Sequence, residues 1–173
     1  MDEQRALADF PRKRCSAGAL IRDGSGRLLV VKPIYRGDWL LPGGVVESDE
    51  DPLAGLRREV MEEVGIDAEV RSLWCVDYLS ARDGLGESLH FLFDCAPLPD
   101  DIAQSIRPRD PEIMEVKWLE LADALPLLPG SIASRLRAPE GHYLFDGLPR
   151  VPFQRSSAAP LLASFINSPG GDA

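Results

Sequence analysis

Three glutamates, Glu59, Glu62 and Glu63, stand three and four residues apart in a chain of 173 residues. On a helix, which advances about 100° per residue, that spacing puts all three carboxylates along one edge within roughly 100° of arc, facing a common volume. Like charges so placed repel, by about 0.2–0.5 kcal/mol per pair. A hard divalent cation removes the repulsion, because carboxylate oxygens are the ligands Mg²⁺ prefers. A cation held there can neutralise an anionic substrate and make water a better nucleophile. Taken alone, E-x-x-E-E in an acidic chain is most simply a solvated helix face, so the surrounding residues decide.

Those residues make a helix over 51–64. Ser48, Asp49 and Asp51 can cap its start, Pro52 suits the first turn and Gly65 closes the end. Leu53, Leu56, Val60 and Val64 share an arc of roughly 80°, one stripe to bury against a sheet. Gly55 lies one turn before Glu59 on the same face. A glycine in mid-helix costs roughly 1 kcal/mol against alanine, and its missing side chain lets a ligand or a neighbouring loop come close to the carboxylates.

From Gly44 to Ile66 the chain reads G-V-V-E-S-D-E-D-P-L-A-G-L-R-R-E-V-M-E-E-V-G-I. This resembles the Nudix box, G-x(5)-E-x(7)-R-E-U-x-E-E-x-G-U with U aliphatic, at every specified position: Gly44, Glu50, Arg58, Glu59, Val60, Glu62, Glu63, Gly65 and Ile66. At average residue frequencies such a match arises by chance on the order of 10⁻⁷ times in a chain of this length. W-L-L-P-G-G before the box, and E-V-K-W-L-E-L and G-H-Y-L-F-D-G after it, also look like their counterparts in the family, so the resemblance covers residues 15–147. One departure is Asp49, where family members commonly have glycine, and it puts the shape of the loop entering the helix in question.

The resemblance implies an α/β protein of Nudix fold: an α/β/α sandwich with a mixed, curved sheet and a catalytic loop–helix–loop. It implies hydrolysis of a diphosphate linkage in a nucleoside diphosphate derivative such as a nucleotide sugar, ADP-ribose, a nucleoside triphosphate or a dinucleotide. Mg²⁺ or Mn²⁺ would be bound by Glu59, Glu62, Glu63 and the backbone carbonyl of Gly44, with Glu59 the first choice to activate water and Arg58 orienting Glu50 or pairing with Glu62. A downstream acid completes some family sites. Glu87, Glu112 and Glu115 are available here, and Glu112, just before a strand, is the best placed. Related proteins often pair through apolar strands, which implies a homodimer. The competing reading is a Nudix-like domain that binds nucleotide ligands as a sensor without turnover, but such a domain is expected to lose a box carboxylate and this one keeps them all.

The remaining chain fills in the frame. Residues 16–21 and 27–31 read as strands around the turn Asp23-Gly24-Ser25-Gly26, together a hairpin. Trp39-Leu40-Leu41 stops at Pro42-Gly43-Gly44, where a tight loop is expected. Strands are expected at 69–78, 88–95 and 113–119, and one helix or two short ones over 121–136. In K-P-I-Y-R-G-D-W, Lys32 and Arg36 are candidates for phosphate oxygens and Tyr35 for stacking on a base. His90, in an apolar strand, reads as a structural histidine. From Pro139 onward, Gly, Pro, Ser and Ala suggest a loosely docked tail. The expected organisation is therefore a domain over 15–147, an N-terminal extension over 1–14 and a poorly structured tail over 148–173.

Composition bounds the rest. At 45% hydrophobic and 27% charged, the chain is sized for one core. The net charge of −9 disfavours a nucleic-acid polymer as partner, and a small anionic substrate requires a metal or a local basic patch. Three scattered cysteines suggest neither disulfides nor zinc. No apolar run serves as a membrane span or secretory signal, so a cytoplasmic protein without membrane contact is expected.

Overall fold

Asp51 is the residue that opens the acidic helix. Its carboxylate accepts from the Leu53 and Ala54 backbone N–H groups at 2.8 and 3.0 Å, Pro52 follows at the first helical position, and Gly65 ends the helix with φ 73°. This helix, α1, spans Pro52–Val64. Of the expected stripe, Leu56, Val60 and Val64 are buried and Leu53 is half-buried, and Gly55 and Glu63 are buried beside them. Asp49 adopts φ 67°, the left-handed conformation that glycine takes most readily and aspartate tolerates, so the loop makes a glycine-type turn without the glycine.

The computed structural model describes residues 10–82 and 84–153. Eight strands are present among them: β1 Arg14–Leu20, β2 Leu28–Pro33, β3 Gly43–Val45, β4 Val70–Leu79, β5 Ser88–Cys95, β6 Ile113–Leu119, β7 His142–Phe145 and β8 Leu148–Pro152. Six form a sheet in the order β3-β1-β5-β4-β7-β8, and β2 pairs with β6. β1–β5 and β4–β7 are parallel and the other pairs antiparallel, a mixed arrangement of the α/β class. The other helices are α2 Asp100–Ser105, α3 Leu121–Ala124 and α4 Gly130–Arg137. Two short helices therefore occupy the segment after β6.

Apolar side chains fall into two groups on opposite sides of the strands. Leu56, Val60 and Val64 of α1 pack with Ala17, Ala19, Leu29 and Val31. Leu28, Val30, Leu92, Leu136 and Leu144 make the second group. The alternation within Leu28–Val31 sends successive residues into different layers, which is why β2 is apolar throughout.

Three expectations are corrected. The turn at 23–26 forms, held by the buried Asp23 carboxylate accepting from the Ser25 and Arg27 N–H groups, and Leu29 N–H bonds to the Ile21 carbonyl. β1 and β2 do not continue as a hairpin, because both edges of β1 are taken by β3 and β5. Next, Gly43 and Gly44 belong to a strand rather than a loop. A Cβ on Gly43 would lie 2.2 Å from the Ala17 carbonyl oxygen, so the close pairing of β3 on β1 needs a residue without one. Leu40 bonds to Val31 and the Pro42 carbonyl accepts from Ala19, so this short segment joins the two sheets.

Finally, residues 148–152 are not tail. Asp146 and Gly147, at φ 50° and 76°, turn the chain so that β8 pairs with β7, a D-G hairpin of the kind in which both turn residues need positive φ. Residues 154–173 of the expected tail and residues 1–9 of the expected extension lie outside the described residues. Among the described residues no helix is long and apolar enough to cross a membrane, and Cys15, Cys75 and Cys95 are all free thiols.

Candidate active site

Arg58 is the hub of the acidic edge. Its guanidinium donates to Glu50 at 2.7 Å, to Glu59 at 2.9 Å, to Glu62 at 3.2 Å and to the Val45 carbonyl at 3.0 Å. Glu50 in turn accepts from the Glu47 N–H at 2.7 Å and presses on the bare face of Gly55, where a Cβ would meet its carboxylate oxygen at 2.9 Å. The mid-helix glycine thus makes room for the loop that carries Glu50. The hydrogen bonds from Arg58 and Glu47 hold the Glu50 carboxyl below its ordinary range, and Glu50 and Glu59 in turn raise the Arg58 pKa.

Glu59 lies against β3: a Cβ on Gly44 would be 2.4 Å from its carboxyl carbon. Glu63, only 9% exposed, accepts from the Gly43 N–H at 2.9 Å. Burial pushes its pKa up to about 8 against that hydrogen bond, and the nearby carboxylates of Glu59, Asp110 and Glu62 push the same way. Burial also raises Glu59. Glu62 is half exposed at the rim. The three carboxylates share an edge as expected, but they do not converge on one point: among the described residues no group of three acidic, thiol or imidazole side chains forms a closed metal cluster. The reason is visible in the partners, since Arg58 draws Glu59 and Glu62 while Gly43 draws Glu63. The donor set still suits a hard cation, being hard oxygens with more negative charge than Arg58 can balance.

Gly43 and Gly44 also line a cavity of about 300 Å³. Tyr35, Arg36, Gly43, Gly44, His90 and Arg135 are among its walls. Tyr35 is 66% exposed, and its phenol is pushed up by partial burial and by the charges of Glu112, Glu63 and Glu59. Arg36 pairs with Asp38 at 3.0 Å. Lys32 does not line the cavity. Its ammonium bonds to the Gly37 carbonyl and sits 5.9 Å from the Trp39 ring centre, so it closes its own turn.

The downstream acids separate. Glu87 is held by Lys13 and Tyr78. Glu115 pairs with Lys117 at 3.0 Å and lines a different groove, with Arg107 and Trp118. Glu112 is exposed. Its carbonyl accepts from Ile34 N–H and its own N–H donates to Asp110, so it props the Tyr35 turn. The acid felt at Glu63 is Asp110, brought there by Arg109, whose N–H bonds to the Glu63 carbonyl at 2.9 Å. Only the docking of the loop before β6 on the end of α1 singles out Asp110; spacing in the sequence gives no reason to rank it above Glu112.

His90 has both ring nitrogens engaged, Nδ1 with Ser16 Oγ at 2.5 Å and Nε2 with Ser88 Oγ at 2.9 Å. Burial, helped by Arg135, Arg14 and Arg82, pulls its pKa down to about 3, so it is a neutral, satisfied histidine as expected. Sequence reading missed Arg135. It lies in α4, 7% exposed, and its Nε donates to the fully buried Asp77 at 2.8 Å.

Comparison with known proteins agrees with this geometry. The NUDIX domain family model matches residues 12–138. A MutT-like protein of Streptomyces ambofaciens is 38% identical over 103 residues, which is 60% of this chain and 60% of that protein. Among solved structures, the MutT protein from Methanosarcina mazei Go1 is 25% identical with a TM-score of 0.61, over 73% of this chain and 93% of that one. The NUDIX domain of Shewanella oneidensis NrtR, solved with ADP ribose, is alike in fold with a TM-score of 0.62 at 22% identity, over 79% of this chain and 97% of that one.

Proposed function

The chain belongs to the Nudix family, and from that premise we propose that it is a pyrophosphohydrolase, cleaving a diphosphate linkage in a nucleoside diphosphate derivative. One observation carries the reading: Gly43 and Gly44 of β3 line the cavity and also touch the acidic edge, Gly43 through its N–H on Glu63 and Gly44 against the Glu59 carboxyl. A ligand seated in the cavity can thus present a phosphate chain to the carboxylates across a bare backbone.

Glu59, Glu62, Glu63 and the Gly44 carbonyl would hold the cation, Mg²⁺ or Mn²⁺. Bound there, it neutralises diphosphate charge and makes water a better nucleophile. The chain's own residues do the positioning. Arg58 and Glu50 hold the edge in register with β3. One of the three glutamates, with Glu59 the first choice, would take the proton of the attacking water instead of holding the cation. Arg36 meets phosphate oxygens at the cavity mouth, and the exposed Tyr35 ring is free to stack on a base. Glu112, whose charge reaches Tyr35, and Asp110, whose charge reaches Glu63, are the two downstream acids placed to support the site.

The chain spans 60% of the length of the Streptomyces relative, so the activity is tested directly on this chain. Nucleoside triphosphates, nucleotide sugars, ADP-ribose and dinucleoside polyphosphates are incubated with Mg²⁺ or with EDTA and phosphate products are measured. Cation-dependent cleavage is expected for at least one class. No cleavage of any, with ligands still raising the thermal midpoint, would replace this reading with a nucleotide sensor.

A further inference from the structure

Arg135 has a buried guanidinium nitrogen with nothing to bond to. Its Nε is fixed by Asp77 at 2.8 Å, Asp77 is held from its other oxygen by the Gly147 N–H at 3.0 Å, and the Arg135 carbonyl accepts from the Trp74 indole at 3.0 Å. Against this firm support, Nη2 is buried and has no partner, alone among buried side-chain polar atoms of the described residues. An unmet buried donor is costly, more so on an ionised group, and native structures contain few. This one belongs to a residue that lines the cavity.

We propose that Arg135 is a specificity-determining residue that reads a ring carbonyl on the nucleobase of the ligand. Three observations narrow the acceptor. The charge of Arg135 is already balanced by Asp77, so the free N–H suits a neutral acceptor rather than a further anion. Besides the cations Arg14 and Arg36, the cavity has the apolar walls Leu40, Phe91, Leu92 and Ile132, which fit the flat ring of a ligand whose phosphate the cations take. Guanidinium only donates, so it cannot pair with the exocyclic amine of adenine, whereas the 6-carbonyl of hypoxanthine or guanine meets its need. That the ligand is a nucleotide comes from the hydrolase reading; which base it carries comes from Arg135.

The test is binding of nucleoside monophosphates to the full chain in EDTA, followed by titration calorimetry, with no turnover involved. IMP is expected to bind about tenfold or more tightly than AMP, and ribose 5-phosphate more weakly than either. R135K keeps a cation beside Asp77 but removes the planar fork, and it is expected to bring the IMP-to-AMP ratio close to one while the thermal midpoint shows that the fold survives. If R135K does not fold, the wild-type protein still decides: IMP is compared with purine riboside 5′-monophosphate, which lacks the carbonyl and is expected to bind about tenfold more weakly. Equal affinity for IMP, AMP and the purine riboside, tighter AMP, or no binding of any would overturn the proposal and leave the hydrolase reading standing. Selective IMP binding with no cleavage of any diphosphate would do the reverse.

Discussion

The acidic edge of α1 and the floor of the cavity are built in opposite ways. Glu50, Arg58, Glu59, Glu62 and Glu63 come from one continuous stretch, and a single helix sets most of their relative placement. Arg135, Asp77, His90 and Ser16 come from α4, β4, β5 and β1, elements that meet only when the sheet is assembled. The edge also keeps exposed, charged partners at its rim, while behind the floor lies the buried Arg135–Asp77 ion pair, in which deleting one charge strands the other. In the proposed reading, machinery for a reaction shared by many substrates is thus written locally, and selection among ligands falls to residues gathered from distant parts of the chain.

If the two regions are separable, damage to one should spare the other. Glu63→Gln keeps an oxygen for the Gly43 N–H and removes the charge. Turnover of the best panel substrate is expected to fall by about 100-fold or more, with IMP affinity and circular dichroism unchanged. Wild-type turnover in that variant would remove Glu63 from the metal edge. Leu56→Ala breaks the comparison from beneath, since Leu56 is 1% exposed and packs between α1 and the sheet. A cavity there is expected to cost about 2–5 kcal/mol by urea unfolding, and a tolerant Leu56 would mean that the helix does not depend on that packing.

Smaller changes sharpen the contrast. Asp51→Ala removes the cap of α1, for which a loss of about 1 kcal/mol is expected, and amide exchange should quicken in the first turn of α1 but not in β5. His90 touches only the cavity side. Its folded pKa lies near 3, below the ordinary value near 6.5, so the unfolded chain takes up the proton first as pH falls. His90 therefore causes stability to decline from about pH 6.5 down toward pH 3 and has no such effect above that window. His90→Gln should flatten the fall in thermal midpoint between pH 7 and pH 5, with little change above pH 7. An unchanged slope would show that other groups govern it.

How far the sequence could be read follows the same division. The cap, stripe and close of α1 were legible because each depends on neighbours within a turn or two. β5 and β6 were legible because their apolar and β-branched residues keep a steady run. The hairpin expected at 16–31 was half right: local turn chemistry at Asp23 was readable, whereas the competition among β2, β3 and β5 for the edges of β1 was not. The D-G signal at 146–147 was present, yet the glycine- and proline-rich surroundings outweighed it, and only the Gly147 N–H bonding to Asp77 shows why that hairpin docks.

By itself the sequence determined the family, the helix and the side chains that crowd its acidic edge, because a 3.6-residue period turns spacing directly into direction. Tertiary structure decided that Arg58 and Gly43 draw the carboxylates apart, that Asp110 comes near Glu63, that Lys32 does not line the cavity and that Arg135 does, with one buried guanidinium nitrogen left unpaired. Each of these depends on which distant backbone fills the space beside a side chain. Burial, which sets the Glu63 and His90 pKa shifts and makes the unpaired Arg135 N–H costly, exists only once those segments have packed.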